Sequence, residues 1–192
     1  AEAFLGDVDN LALGVQAELV TRHHLTVGEL QHLRVLFAAC AGGLAEQIIR
    51  ERLGFFHQRH LAGYAVLQRS GDLLLLDYFA VLPRFRHQGL GTLFLRQLRE
   101  IFADQTAILI ESEAADTAEA QRRLAFYQRA GAVLSEIRIH LVHVDYRILM
   151  LPLSQTLTDR QLHQALLTMY RTIYSEPFRN RYLRISPASE SQ

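Results

Sequence analysis

The chain has 192 residues, 49% of them hydrophobic, which is enough apolar material for one sizeable core in a single compact domain. Its 20 basic and 20 acidic residues balance, and no apolar run approaches the roughly 20 residues of a membrane span, so neither nucleic acid nor a membrane is an expected partner. A single cysteine, Cys40, excludes an internal disulfide, and the N-terminus lacks a secretory pattern, so we expect a cytoplasmic protein.

The first part of the chain is predicted to contain a leader, a strand and two helices. Residues 1–14 have no clear period, and residues 15–21 alternate well enough for a strand. Thr26-x-x-Glu29 is a capping box that opens a helix, which Gly42-Gly43 ends. The apolar face of this helix carries Leu30, Leu33, Phe37 and Cys40. A second short helix is predicted over residues 44–53, with Gly54 placed to cap its end.

A hairpin, a glycine-rich turn and a helix follow. Residues 62–69 and 73–82 are predicted strands, joined by Ser70-Gly71-Asp72. After the turn that holds Gly89 and Gly91, apolar residues recur at helical spacing: Leu90, Leu93, Phe94, Leu98, Ile101 and Phe102. Such a turn exposes backbone N–H groups at a helix N-terminus, where unpaired donors and the helix dipole favour a phosphate. The Rossmann and P-loop fingerprints are both incomplete here.

The remaining elements alternate between strand and helix. Residues 107–110 are a predicted strand that ends in Glu111-Ser112-Glu113, and Asp116-x-x-Glu119 opens a helix that stops at Gly131. Residues 133–139 and 144–151 are predicted to be closing strands. Thr158-x-x-Gln161 opens an amphipathic helix, and the tail beyond Ser186 is polar enough to be disordered. The apolar stripe of this helix is Leu162, Leu166, Met169, Tyr170 and Ile173.

Two short blocks carry a family resemblance. Arg86-x-x-Gly89-x-Gly91, after a strand ending Ala80-Val81-x-Pro83, resembles the acyl-CoA pyrophosphate loop of the GNAT (Gcn5-related) N-acetyltransferases. Residues 122–132, with Phe126-Tyr127 and a later glycine, resemble a helix end of the same family. The resemblance implies an α/β fold with a central mixed, mostly antiparallel sheet flanked by helices. It covers a catalytic domain at residues 15–152, after a leader at 1–14 and before a helical extension with a polar tail at 153–192.

The resemblance also implies an activity, which is direct transfer of an acetyl or other acyl group from acetyl-CoA to a primary amine, with no metal. The expected acceptor is a small-molecule or peptide amine, and a homodimer is one option for the assembly. The implied cofactor-binding residues are Phe79, Val81, Arg86, His87, Gln88, Gly89, Leu90, Gly91 and Thr92. Two alternatives stay open: a non-catalytic acyl-CoA-binding regulatory module of the same fold, and a structural domain that binds no cofactor.

Tyr127 is the candidate general acid. The resemblance places it over the thioester sulfur, and a phenol with a pKa of about 10 is neutral at pH 7 and can donate to a thiolate. The alternative is a core tyrosine, because Ala120, Leu124 and Tyr127 form a helical stripe. Ala120 and Ala132 replace an asparagine and an aromatic residue that are frequent in the family, so one polar contact to the cofactor is missing.

Asp77 and Glu111 are the candidate bases. Strand alternation predicts Asp77, Phe79 and Val81 on one face of their strand, and a carboxylate within such an apolar strand is costly unless it is paired or near water. Glu111 and Glu113 share a face of the next strand. The alternatives are a base that acts through water, and a carboxylate that merely pairs with Arg122 or Arg123 to hold the helix.

The histidines are not predicted to bind metal. Pairs such as His57 and His60, or His140 and His143, match no tight zinc motif, and no cysteines accompany them. Arg84 and Arg86 lie close enough to the glycine-rich turn to favour phosphate, and His87 is expected to offer its backbone N–H there.

Overall fold

The computed structural model describes residues 30–35, 49–114 and 117–186, which form eight strands and four α-helices. The strands are β1 (Leu30–Val35), β2 (Ile49–His57), β3 (His60–Ser70), β4 (Leu73–Val81), β5 (Ala107–Glu113), β6 (Val133–Leu141), β7 (Val144–Pro152) and β8 (Leu183–Ile185). The helices are α1 (Leu90–Ile101), α2 (Ala118–Arg129), α3 (Asp159–Ile173) and α4 (Glu176–Tyr182), with a 3₁₀ turn at Pro83–Phe85. The predicted leader, the strand at 15–21, the capping box at 26–29 and the tail from 187 lie outside the described residues.

All eight strands belong to one sheet in the order β1-β2-β3-β4-β5-β7-β6-β8. Only the pair β4 and β5 is parallel, and every other neighbouring pair is antiparallel. The prediction of a mixed, mostly antiparallel sheet flanked by helices, with an extra C-terminal helix, is therefore confirmed.

The two predicted N-terminal helices are wrong where the structure describes them. Leu30–Val35 is a strand that pairs with β2 from Leu30↔His57 to Val35↔Arg52. Residues 49–53 also belong to a strand, in which Leu53 and Phe55 are buried on one face of the sheet. The physical reason is tertiary, because ladder hydrogen bonds between distant segments outweigh an apolar spacing that also fits a helix. Gly54, expected to cap a helix, pairs with Tyr64 inside the sheet.

The later elements agree with their predicted types. β3 and β4 form the expected hairpin, and Gly71 adopts the left-handed φ of +62° in its turn. Both bonds of the capping box at Thr158 are present at the start of α3. Thr117, rather than the predicted Asp116, caps α2 by accepting a bond from Ala120 N. Helix α4 and strand β8 were not predicted. Of the helices described, none is both long and apolar enough to cross a bilayer.

The sheet divides the core into two clusters, which define its two faces. On the α1–α2 face, Phe94 and Leu98 of α1 and Tyr127 of α2 pack against the sheet side chains of one cluster. On the α3 face, Leu166 and Tyr170 pack against the other cluster. Successive residues of β5 alternate between the faces, since Ile108 and Ile110 belong to the first cluster whereas Ala107 and Leu109 belong to the second. The C-terminal extension therefore covers a sheet face that α1 and α2 leave open.

Candidate active site

The two parallel strands at the centre of the sheet separate halfway along. β4 and β5 pair only from Leu73↔Ala107 to Leu76↔Ile110. Beyond that point β5 continues along β7, with Glu111 opposite Ile148, while β4 continues along β3 as far as Val81. Within the described sheet, residues 77–81 thus have no strand partner on the β5 side. The resulting opening exposes main-chain N–H and C=O groups, which can bond to an extended ligand.

A β-bulge lies at the point where the strands separate. The pairing with β3 shifts between Leu67↔Leu76 and Val66↔Tyr78, so Asp77 is the extra residue of β4. Because of this extra residue, the prediction that Asp77 and Phe79 share a face is wrong. Gln68 Nε2 donates to Asp77 Oδ2 over 2.6 Å, and Gln68 lies on the α3 face because Leu67, its neighbour, packs on the α1–α2 face.

Phe79 and Val81 point to the α1–α2 face. The Phe79 ring lies 5.2 Å from that of Phe94, and Val81 Cγ2 lies 3.5 Å from the position that a Cβ would take on Gly91. Both side chains therefore pack under α1. These two residues can therefore contact a cofactor in the opening only through their main-chain groups.

The glycine-rich turn places the N-terminus of α1 at the end of β4. Gly89 is the N-cap with a left-handed φ of +75° and makes no side-chain cap bond. A Cβ on Gly89 would have no atom within 4 Å, so the space beside it is open. A helix N-terminus leaves its first N–H groups, here those of Leu90, Gly91 and Thr92, without helical acceptors. Open space beside unpaired donors fits a pyrophosphate.

Gly91 has a different role from Gly89. A Cβ on Gly91 would lie 3.2 Å from Phe126 Cζ, so its small size permits close packing of α1 on α2. Leu90 is 7% exposed and belongs to the core of the α1–α2 face. These two residues therefore offer only backbone groups to a ligand.

The polar side chains of the turn are partly used to hold its shape. Arg86 Nε donates to Val81 O over 2.9 Å, and Gln88 Nε2 donates to Arg84 O over 3.0 Å. The Arg84 guanidinium lies 4.7 Å from the centroid of the Phe85 ring. His87 is exposed and has a left-handed φ of +62°. The turn is thus basic, exposed and braced by its own side chains, which suits an anionic ligand.

Tyr127 lies in an aromatic cluster on the α1–α2 face. Its ring centroid is 5.2 Å from that of Phe126 and 6.3 Å from that of Phe79, and only 7% of the residue is exposed. Burial raises the pKa of Tyr127 to about 12, although the nearby Arg123 charge lowers it somewhat. The phenol therefore keeps its proton at any physiological pH.

Glu111 lies on the opposite face, beside the separation of β4 and β5. The hydroxyl of Tyr170 on α3 donates a hydrogen bond to Glu111 Oε1. Burial raises the pKa of Glu111, the bond from Tyr170 lowers it, and the charge of Asp77 raises it again. The structure thus brings the two candidate bases, Asp77 and Glu111, into one electrostatic environment.

Two further tyrosines border this acidic group. Burial is the main cause that raises the pKa of Tyr146 on β7, followed by the charges of Glu111 and Glu113 and by Tyr78. Tyr78 follows the bulge and is 54% exposed. The α3 side of the opening therefore combines carboxylates with phenol rings.

Glu113 is separate from Glu111 in its contacts. Its Oε2 lies 3.6 Å from Arg123 Nη1 on α2, and both side chains are substantially exposed. The alternative of a carboxylate that pairs with Arg122 or Arg123 to hold the helix therefore applies to Glu113. The structure shows no such pair for Glu111, whose contact is with Tyr170.

The histidines of the described residues do not gather into a metal site. His60 Nδ1 is within hydrogen-bonding distance of Gln58 O, and His140 Nδ1 lies 2.8 Å from Asp145 Oδ1. In the part of the chain that the structure describes, no group of three His, Cys, Asp or Glu side chains could hold a metal ion.

Comparison with known proteins tests the family resemblance. Residues 48–131 match the family described as the acetyltransferase (GNAT) domain. The matched segment resembles a GNAT domain and spans less than half of the chain. The residues that matched the resemblance, from the glycine-rich turn to Gly131, lie within this segment. No curated protein matches the chain.

Solved structures with the GNAT fold resemble the chain at low sequence identity. A GNAT-family protein from Bacteroides thetaiotaomicron is 21% identical, with a TM-score of 0.55, over 65% of this chain and 72% of that one. A GNAT acetyltransferase from Elizabethkingia anophelis, solved with acetyl-CoA bound, is 15% identical over 65% of this chain and 99% of its own, with a TM-score of 0.52. An acetyltransferase from Bacillus subtilis, solved with CoA, gives the same identity and coverage and a TM-score of 0.50. These likenesses establish the fold.

Sequence reasoning missed the polar partners of the two candidate bases. The sequence pattern marks neither Gln68 nor Tyr146, and it places Tyr170 only on the apolar stripe of α3, where it does lie. The bond from Tyr170 to Glu111 joins residues 59 positions apart. A buried phenol needs a hydrogen-bond partner, which is the signal that could have marked Tyr170.

Proposed function

We propose that this protein is an N-acetyltransferase that transfers an acetyl group directly from acetyl-CoA to a primary amine. The observation that carries the proposal is the opening between β4 and β5, which begins beside Glu111 and leads along β4 to the N-terminus of α1. Along this path lie the proposed phosphate anchor, an unpaired strand edge and the half-buried carboxylate of Glu111.

The turn at residues 86–92 is the proposed cofactor anchor. The open space beside Gly89 and the uncapped N-terminus of α1 suit a pyrophosphate. Arg84 and Arg86 supply positive charge near this turn, and the main chain of residues 77–81 would hold the pantetheine arm.

Glu111 is the proposed general base. A carboxylate whose pKa is raised by burial is a stronger base than an ordinary one. It is ionised, and can accept a proton, when the reaction runs above that pKa. Glu111 would accept a proton from the ammonium or from the attacking amine, directly or through water. Asp77, held by Gln68, contributes negative charge that favours a cationic acceptor.

Tyr127 is the proposed donor to the leaving sulfur. A phenol whose pKa is about 12 is a much weaker acid than a thiol, whose ordinary pKa is about 8.5, so complete proton transfer to a thiolate is uphill. Hydrogen-bond donation that stabilises the developing thiolate is therefore the role that fits Tyr127.

The proposed acceptor is cationic before reaction. An alkyl amine with a lysine-like pKa of about 10.4 is almost wholly protonated at pH 7. The carboxylates of Asp77 and Glu111 would attract its charge, and the nearby Tyr78 and Tyr146 carry aromatic rings of the kind whose faces attract cations. Small amines and peptide amines both satisfy this chemistry.

The test is thiol release from acetyl-CoA over a panel of amines, with mass spectrometry of the acetylated product. Turnover with at least one amine supports the proposal. Acetyl-CoA binding without turnover over the whole panel would select the non-catalytic acyl-CoA-binding module, and no binding would refute both.

A matched pair of glycine variants tests the cofactor anchor. Gly89→Glu should abolish acetyl-CoA binding, because it directs a carboxylate into the open space proposed for the pyrophosphate. Gly71→Glu is the control, since Gly71 has a similar φ of +62° and open space but lies in the hairpin turn at the other end of β4. Calorimetry that shows equal affinities in the two folded variants would contradict the placement of the anchor.

A further inference from the structure

Helix α3 lies beyond residues 48–131 of the family match, yet it reaches the proposed base. Tyr170 is 1% exposed, and its hydroxyl donates to Glu111 Oε1. This contact joins the C-terminal extension to β5 at the residue where β5 leaves its pairing with β4. The extension is therefore structurally part of the proposed active site.

Tyr170 can act on Glu111 only as a donor. Burial and the charge of Glu111 hold the pKa of Tyr170 well above its ordinary value, so the phenol keeps its proton wherever Glu111 is ionised. A group that never loses its proton cannot serve as a base. Its effect must be exerted through the carboxylate that it contacts.

An aromatic stack holds the Tyr170 ring from behind. Ring centroids are 5.8 Å apart for Tyr170 and Tyr174, 4.8 Å for Tyr174 and Phe178, and 5.1 Å for Phe178 and Tyr182. The stack continues from α3 into α4, which leads to β8 at the edge of the sheet beside β6. Tyr170 is thus fixed in direction by its neighbours, as a positioning residue needs to be.

We propose that Tyr170 is a positioning residue for Glu111. The Tyr170 hydroxyl fixes Glu111 Oε1 and favours the ionised carboxylate, and Glu111 Oε2 is left to accept the proton of the amine. The proposal rests on the proposed function for the role of Glu111. It makes the C-terminal helix a required part of the acceptor side of the site.

The other groups that face Glu111 act differently from Tyr170. Asp77 on β4 opposes its ionisation by charge, Glu113 lies two residues along β5, and Tyr146 on β7 is electrostatically coupled to both glutamates. Removing the Tyr170 hydroxyl would therefore leave Glu111 half-buried beside negative charge, without this hydrogen-bond donor. Its pKa should rise, and less of the active base should be present at neutral pH.

The test compares Tyr170→Phe with wild type in two measurements. The first is a carbon-13 NMR titration of the glutamate carboxyls, with Glu111→Gln used to assign the Glu111 signal. The second is the pH dependence of kcat/KM with an amine that wild type acetylates. The control is Tyr182→Phe, which deletes a hydroxyl at the far end of the same stack.

We expect the Glu111 titration and the rising limb of the rate profile to move together to higher pH in Tyr170→Phe. The rate should fall about 10- to 100-fold at neutral pH, as for the loss of a hydrogen bond to a charged group, and part of it should return at high pH. Tyr182→Phe should leave both curves in place.

An unchanged Glu111 titration would overturn the positioning role, whether or not the protein is active. A titration that moves while the rate profile stays in place would show that Glu111 is not the base, and would overturn the proposal on that ground. If wild type lacks turnover while the Glu111 titration still shifts in Tyr170→Phe, the proposed function is refuted, and with it the positioning role.

Discussion

Tyr127→Phe separates a chemical role for the phenol from a packing role. The substitution keeps the ring, and with it the contacts to Phe126 and Phe79 at centroid distances of 5.2 and 6.3 Å. A hydrogen bond to a charged group is worth ~1.5–3 kcal/mol, which corresponds to a loss of about 10- to 100-fold in kcat. Acetyl-CoA affinity and the melting temperature should change little.

The pH dependence of the same variant tests the burial argument. A pKa of about 12, against an ordinary 10.0, means that ionising Tyr127 in the fold costs ~3 kcal/mol more than in water. Wild type should therefore show no falling limb from Tyr127 below about pH 11, and Tyr127→Phe should give a profile of the same shape with a lower plateau.

The assay is steady-state thiol release between pH 6 and 10, with Tyr182→Phe as a hydroxyl-deletion control on α4. Equal kcat in Tyr127→Phe and wild type would assign Tyr127 to packing. A falling limb near pH 10 that disappears in the variant would contradict the raised pKa.

Two carboxylates of β5 should respond in opposite ways to substitution. Glu113→Ala removes an exposed pair with Arg123, worth at most ~1 kcal/mol, so the melting temperature should fall slightly while kcat and the pH profile stay unchanged. A large loss of kcat in this variant would instead make Glu113 the base. Glu111→Gln should lose most activity, by about 10²- to 10⁴-fold, yet gain stability relative to wild type as pH rises. Burial raises the folded pKa of Glu111, so its contribution to stability is present below the ordinary value of 4.5 and is lost as pH rises through the folded value. Melting curves at pH 4 and pH 8 test this, and a variant that is less stable than wild type by a greater margin at pH 8 would show that the ionised carboxylate stabilises the fold.

The elements that the sequence predicts well are those whose signals are local. The box at Thr158 forms because both of its bonds close within one helical turn, and Gly131 ends α2 because its left-handed φ of +96° suits glycine. The hairpin of β3 and β4 likewise depends on a short turn at Gly71. In each case the residues that decide the structure are only a few positions apart.

The N-terminal strands could not be predicted in the same way. Leu30 and Leu33 lie at a spacing that fits a helix, but the partner that makes this segment a strand begins at Ile49. Leu53 and Phe55 do alternate, and their separation by two residues was the available signal for β2. Gly54 lies between them and also fits the cap of a helix, so the alternation did not by itself indicate a strand.

In the candidate site too, the features set by neighbouring residues were predictable, and those that depend on distant segments were not. The turn at Gly89 was predictable because a strand, a glycine and a helix meet within it. The sheet face on which Asp77 lies was not predictable, because the bulge depends on the pairing of β4 with β3. The contact of Glu111 with Tyr170 depends on how a helix 59 residues away packs on the sheet. Polar contacts between distant segments carry no local pattern.

The placement of the proposed hydrogen-bond donor and the proposed base on opposite faces has a chemical consequence. Tyr127 packs on the α1–α2 face and Glu111 on the α3 face, with the sheet between them. Side by side, a phenol and a half-buried carboxylate would bond to each other, as Tyr170 and Glu111 do, and neither would be free for the substrate. The β4–β5 pairing ends at Leu76 and Ile110, and the proposed reaction requires a ligand in the opening beyond it to contact both groups. In the proposed reaction the sulfur then faces α2, and the amine enters from the side of α3.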